Sequence, residues 1–525
     1  MTSGPARLLI GLLGGGLLIL AFPPWHAWWL APVGVAGLIF GVRQRRLLGA
    51  VGVGWCAGLV FFAGHLPWMR VIGPDAWLLL AGLLGITWAL VAVLIWCVRD
   101  LPGWPVWSAA AVIALEIARS VWPWGGFPWG SLAFSQADAP TLGWAWLLGS
   151  SGLGLAIALT GALLAWSAER PTVPRRWLTA ATGIIVLTAG GAGLAVASAV
   201  LNPSVGQFAT VIVQGNVPRP GLEFIGGPRQ ILGNHVDLTV ELAAQIAGGG
   251  QPPVDVVIWP ENSVDVDPFG DQRVIADVQR AADAIDRPVL IGSPLVNPDD
   301  PRTLLNASLL WSPASAAAPG PAAAGQWYVK RRLVPFGEYI PHREALASLF
   351  ERFKRIPRDF IVGSTPGIIE VPRVGAPPVV LGVVICFEVA YDDLVRDTVA
   401  AGGQVLVVQT NNATFSLAGQ TGQQLAMGRV RAAEFGRWVL LAATSGVSAV
   451  IDSRGQVVEQ SVEMTPDVLM ATVPLHTALS PAVRFGAAME WLIVGAALAA
   501  AVAAVIRRSG GRAPRRSRAT APAVR

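Results

Sequence analysis

Lysine is nearly missing from this chain: of its 38 basic residues, 36 are arginine and only two, Lys330 and Lys354, are lysine. Charge of either sign is scarce as well, at 14% of residues against 53% hydrophobic, where soluble proteins carry about a quarter charged. That balance excludes an ordinary soluble enzyme and places the chain in a membrane. Cysteine is rare too, with Cys56 and Cys97 inside apolar runs and Cys386 alone in the more polar region. No disulfide can form within that region, so Cys386 is either an inert core residue or a nucleophile. The five histidines, at 26, 65, 235, 342 and 476, show no metal-ligand spacing. No GxxxxGK[ST] and no well-placed GxGxxG is present, so neither a metal nor another cofactor is expected.

What is abundant divides the chain. Residues 1–200 hold five acidic groups (Asp75, Asp100, Glu116, Asp138, Glu169), no lysine, and 17 of the 22 tryptophans. A spanning helix needs roughly 20 apolar residues, and uncharged runs near 8–22, 28–42, 47–64, 77–98, 104–118, 142–168 and 178–201 supply seven, with an eighth at 485–506. The first run lacks a small-residue cleavage site and reads as a retained helix. Between the seventh and eighth runs charges return, Pro and Gly punctuate, and β-branched runs alternate with amphipathic stretches. The expected organisation is a transmembrane domain at 1–204, a folded domain at 205–475, a membrane helix at 476–508 and a basic tail at 509–525. The stretch 312–325 is rich in Pro, Ala and Gly and reads as a flexible excursion between strands.

Short-loop arginines set the orientation. Arg43, Arg45 and Arg46, then Arg99, then Arg170, Arg175 and Arg176, then the arginines from Arg507 onward all fall on one side of eight spans. That side is the cytoplasm, with both termini inside and the 205–475 domain outside. The net charge of +5 is thus mostly a topology signal and gives nucleic-acid binding little support.

Three strand ends carry reactive groups. In VVLGVVICFEVAYDD (379–393) an apolar run ends on Cys386, followed by Phe387 and Glu388; in VDVVIWPENS, Pro260 stops a run and Glu261 lands at its edge; in QWYVKRRLVPFGEYIP, Lys330 closes a short strand pattern. A Cys at the end of an apolar strand is usually a small buried hydrophobe, and a lone lysine is often just surface. Together, a carboxylate to take a proton, an ammonium to stabilise charge and a thiol to attack make a covalent acyl-transfer set.

WPENS, YVKRRLVPFGEYIP and ICFE resemble the three signature segments of the nitrilase superfamily, whose catalytic Glu, Lys and Cys map onto Glu261, Lys330 and Cys386. With seven apolar runs before, one after, and the loop GFPWGSLAFSQ at 126–136, nearly the whole chain resembles the apolipoprotein N-acyltransferases, multi-pass enzymes of the bacterial cell membrane. NNATF at 411–415 and ENSVDVDP at 261–268 depart from the residues expected there. The resemblance implies a nitrilase-like four-layer α-β-β-α sandwich on an eight-helix transmembrane domain. It implies a phospholipid acyl donor, a diacylglyceryl-modified apolipoprotein as acceptor, no nucleic acid, and a monomer.

The chemistry expected is two-step. Lys330 and Glu261 would activate the Cys386 thiol, whose free pKa is near 8.5, toward thiolate; the sulfur takes the acyl group from the lipid ester and an amine then takes it from the thioester. Glu338 and Glu388 resemble supporting positions that orient the lysine and shape the site, or else pair with Arg331 and Arg332. Phe387 and Trp327 line an acyl path or are plain core. Glu116 and Arg119, at i and i+3, serve function or hold the bundle and the loop 120–136. Two other readings stand beside the acyltransferase: a membrane-tethered amidase acting on a soluble amide, and a transporter with an exported sensor, which would want more intramembrane charge than this one pair.

Overall fold

The structure is a computed structural model that describes residues 4–43, 45–217, 229–314, 324–344 and 358–510. Lys354, most of the 312–325 stretch and nearly all of the basic tail lie outside these residues.

Seven apolar helices open the chain: α1 Gly4–Ala21, α2 Leu30–Arg43, α3 Leu47–His65, α4 Pro74–Val98, α5 Trp104–Val121, α6 Trp144–Ala168 and α7 Pro174–Leu201. Small residues let them approach closely in lipid, where apolar burial gives no drive to associate. A Cβ on Gly14 would stand only 2.7 Å from the carbonyl oxygen of Gly34 on α2.

The folded domain is built on two six-stranded sheets. The first has the order β12 (Asp467–Leu475), β1 (Gly206–Gln214), β2 (Val256–Ile258), β3 (Val289–Val296), β4 (Leu304–Trp311), β5 (Ala324–Val329), and the second β11 (Val457–Gln460), β10 (Ala449–Ile451), β9 (Val439–Ala443), β8 (Val405–Thr410), β7 (Ala376–Ile385), β6 (Ile368–Arg373). The strands that matter below are β2 Val256–Ile258, β4 Leu304–Trp311, β5 Ala324–Val329, β7 Ala376–Ile385 and β8 Val405–Thr410. A core of Phe208, Ile212, Ile258, Tyr328, Val383, Ile385 and Leu440 fills the space between the sheets. Helices α8 Gln230–Ala247 and α9 Gln272–Ile285 cover the outer face of the first sheet. Their heptad-like apolar stripes (Leu232, Val236, Leu242; Val274, Val278, Ala281) supply that contact.

Helices α10 Asp392–Ala400 and α11 Gln420–Phe435 lie on the outer face of the second sheet. Their buried side chains, Leu394, Val395, Met427 and Val430, belong to one apolar cluster with Phe61, Trp68, Trp129 and Phe134 of the membrane part. This helix layer therefore seats the folded domain on the helical bundle. The closing helix α12, Pro481–Gly510, packs back against α5 and α6.

Of the eight expected spans, six helices are long and apolar enough to cross a membrane: α1, α3, α4, α6, α7 and α12. The α2 helix has 14 residues, about 21 Å against a hydrocarbon core of about 30 Å. In α5, Glu116 and Arg119 interrupt the apolar run.

Candidate active site

Each of the three strand ends turns sharply and delivers its polar group into the gap between the sheets. Glu261 follows β2, Lys330 follows β5 and Cys386 follows β7. Cys386 sits at φ +53°, a left-handed backbone that L residues seldom adopt. It ends the strand abruptly and opens a short 3₁₀ turn over Cys386–Ala390.

Lys330 is the hub. Its Nζ lies 3.1 Å from Glu261 Oε1 and 2.9 Å from Glu338 Oε1, with only 1% of the side chain exposed. Burial alone would depress the ammonium, but the two carboxylates and Cys386 more than offset it and hold Lys330 protonated well above its ordinary range. Asn306 on β4 spans the same pair, donating from Nδ2 to Glu261 at 2.8 Å and to Glu338 at 2.7 Å. The second oxygen of Glu261 accepts from the backbone N–H of Asn411 at 2.8 Å, and that of Glu338 from Val334 N–H at 2.7 Å.

The surroundings of the Cys386 thiol favour its protonated form. Burial first and Glu261 second push Cys386 up to about 12, while Lys330 and Thr410 pull the other way and lose. Glu261 is the carboxylate whose charge acts most strongly on this thiol.

Glu388 is wholly buried. It accepts from the Tyr328 hydroxyl at 2.9 Å and from the backbone N–H groups of Arg331 at 2.6 Å, Arg332 at 3.0 Å and Ile385 at 2.8 Å. The Arg331 and Arg332 side chains instead reach Asp397 and Asp393. So neither Glu338 nor Glu388 is a partner for those two guanidinium groups.

Phe387 is 5% exposed and touches the membrane part. Its ring stacks on Trp129, with centroids 6.1 Å apart, and meets Phe127 at 5.8 Å. Trp327 does not reach the site. Strand alternation sends Tyr328 and Lys330 inward and turns Trp327 outward, where half of its surface is exposed. The Glu116 and Arg119 pair holds the loop, since Arg119 Nη1 donates to the carbonyls of Phe127 and Trp129 and Glu116 accepts from Leu132 N–H at 3.2 Å.

Sequence reasoning passed over Asn306, Asn411, Thr410 and Gln424. Asn306 had a signal, being a lone amide in the apolar run LLNASLLW. Gln424 had none.

Two family models match the chain. Residues 14–163 match the model of the apolipoprotein N-acyltransferase N-terminal domain, and residues 230–480 match that of carbon-nitrogen hydrolase. The apolipoprotein N-acyltransferase of Mycolicibacterium smegmatis is 34% identical, over 97% of this chain and 86% of that relative. The protein of the same name from Azotobacter vinelandii is 31% identical over 96% of both, and that from Pseudomonas putida is 28% identical over 90% and 92%.

Proposed function

Since the chain belongs to the apolipoprotein N-acyltransferase family, we propose that it moves an acyl chain from a phospholipid, through a thioester on Cys386, to the N-terminal amine of the S-diacylglyceryl cysteine of an apolipoprotein. The observation that carries this reading is the Glu261–Lys330–Glu338 chain of contacts beside the half-buried Cys386, whose neighbour Phe387 stacks on Trp129 of the membrane part. A site for small soluble amides has no need of that second contact.

Glu261 takes the Cys386 proton as sulfur attacks the ester carbonyl. Charge gathers on the carbonyl oxygen, where the Lys330 ammonium offsets it; one such donor contributes about 3–4 kcal/mol. The C–O bond breaks, the leaving alkoxide takes the proton back from Glu261, and lysophospholipid departs. In the second half the acceptor amine adds to the thioester and gives its proton to Glu261. The C–S bond breaks, sulfur is reprotonated, and the amide is released. Glu338 and Asn306 keep Lys330 and Glu261 aligned throughout. Thioester to amide runs downhill, so no energy-rich cofactor enters.

The folded domain is read as a nitrilase-like four-layer α-β-β-α sandwich, and the eight helices as a transmembrane domain of a monomer with both termini cytoplasmic. Reporters fused within 205–475 should then be external and those after 508 internal. The function itself is tested by incubating purified protein with phospholipid and a diacylglyceryl peptide and seeking the N-acylated peptide by mass spectrometry. Turnover of soluble amides without lipid would favour the amidase instead.

A further inference from the structure

We propose that the side-chain amide of Gln424 is a further catalytic group, donating a hydrogen bond to the sulfur of Cys386 and so stabilising the thiolate as the acyl–sulfur bond forms and breaks. The proposal rests on Cys386 being the nucleophile.

Gln424 is the fifth residue of α11 and is 1% exposed. Its Nε2 stands 3.9 Å from Cys386 Sγ, within reach of a long hydrogen bond to sulfur. Its other end is occupied: Oε1 accepts from Asn412 Nδ2 at 2.7 Å and from the Thr410 hydroxyl at 3.0 Å. With both donors on the oxygen, the amino group is the end that faces the sulfur.

The position of the amide is set from the membrane side. The preceding residue, Gln423, accepts at Oε1 from the indole N–H groups of Trp129 at 2.7 Å and Trp68 at 3.1 Å, and its Nε2 donates to the His65 carbonyl at 2.8 Å. Trp129 is also the ring under Phe387. The same tryptophan thus fixes both the turn that carries the thiol and the helix end that carries the amide.

A neutral thiol accepts weakly, whereas a thiolate makes a charge-assisted bond. The interaction therefore grows as the proton leaves for Glu261, which makes it a rate effect and leaves lipid binding unchanged. Lys330 and Thr410 also favour the thiolate, but Lys330 approaches with its charge already shared between Glu261 and Glu338.

Two variants separate donor from shape. Gln424→Glu keeps an acceptor for Thr410 and Asn412 and removes the donor; Gln424→Met keeps length and removes both. The measurement is the iodoacetamide alkylation rate of the Cys386 peptide, read by mass spectrometry from pH 6 to 10 on full-length protein, together with lysophospholipid release under varied phospholipid. Expected is a fall of about tenfold or more in alkylation at each pH, typical of a lost hydrogen bond to a charged group, with kcat reduced similarly and KM unchanged. Alkylation profiles of the folded variants that superimpose on the parent profile overturn the proposal, as does a loss confined to KM. Because alkylation needs neither lipid nor acceptor, a shifted profile in a protein that transfers no acyl group supports the role of Gln424 while sinking the acyltransferase reading.

Discussion

The backbone N–H of Arg331 donates a 2.6 Å hydrogen bond to the buried carboxylate of Glu388, although the two residues stand 57 positions apart. Through that bond the turn carrying the thiol and the strand end carrying the ammonium share one anchor. Glu388 also holds Arg332 N–H and the N–H of Ile385, the residue just before the cysteine. Glu388 thus ties together the two chain segments that carry Cys386 and Lys330.

Glu388→Gln should therefore be damaging out of proportion to its size change. The amide can satisfy fewer of the four donors and brings two N–H groups of its own into a fully buried space. An unsatisfied buried donor costs about 1–3 kcal/mol, so thermal unfolding should occur at lower temperature and activity should fall by about a hundredfold. Unchanged unfolding and turnover in this variant would remove the anchoring role.

Lys330→Arg keeps the charge yet should lose about a hundredfold or more in kcat, the scale set by loss of one oxyanion donor. The ammonium sits between two carboxylate oxygens at 3.1 and 2.9 Å with almost no exposed surface, and the larger planar guanidinium does not fit that space. Near-parental turnover by Lys330→Arg would show that Lys330 is only a structural cation.

Much of this was legible in the sequence. Glu261, Lys330 and Cys386 each stand at the end of an apolar run, and the run that ends on Cys386 coincides with the strand Ala376–Ile385. The short strands Ile368–Arg373, Ala449–Ile451 and Val457–Gln460 escaped, because so few residues show little periodicity. The partners of Glu388 escaped for another reason: three of its four donors are backbone N–H groups, which leave no trace in side-chain identity. Trp327 was misplaced by proximity to Lys330 in sequence, where the pleat puts neighbours on opposite faces.

The resting state of the thiol gives a pH test. With Cys386 pushed up to about 12 by burial and Glu261, the thiolate fraction rises tenfold per pH unit throughout the neutral range. Alkylation of Cys386 should thus still be climbing at pH 10, with no plateau near the free-thiol value of about 8.5. The same shift makes a sign prediction for stability. Between about 8.5 and 12 the unfolded thiol loses its proton while the folded one keeps it, so this group's contribution to stability is lost as pH rises through that window. An alkylation plateau at or below pH 8 would show instead a thiolate poised by Lys330.

The two-step chemistry makes the strictest demand. If the acceptor amine enters only after lysophospholipid has left, protein given phospholipid alone should accumulate a thioester on Cys386, seen as an acyl mass increment that neutral hydroxylamine removes. Its survival requires water to be kept out, and the apolar cover is present: Phe387 packs against Trp129, Phe127 and Tyr391 beside the sulfur. Cys386→Ser should abolish labelling, because a hydroxyl is far less acidic than a thiol and Glu261 alone does not make up the difference. Cys56→Ser and Cys97→Ser should label as the parent does, since both thiols lie in membrane helices, on α3 and α4. Glu261→Gln should label slowly even at high lipid if Glu261 is the base that accepts the thiol proton. Acyl label persisting in Cys386→Ser, or product formed solely when both substrates are present with no trappable intermediate, would replace the thioester route with direct transfer from lipid to amine.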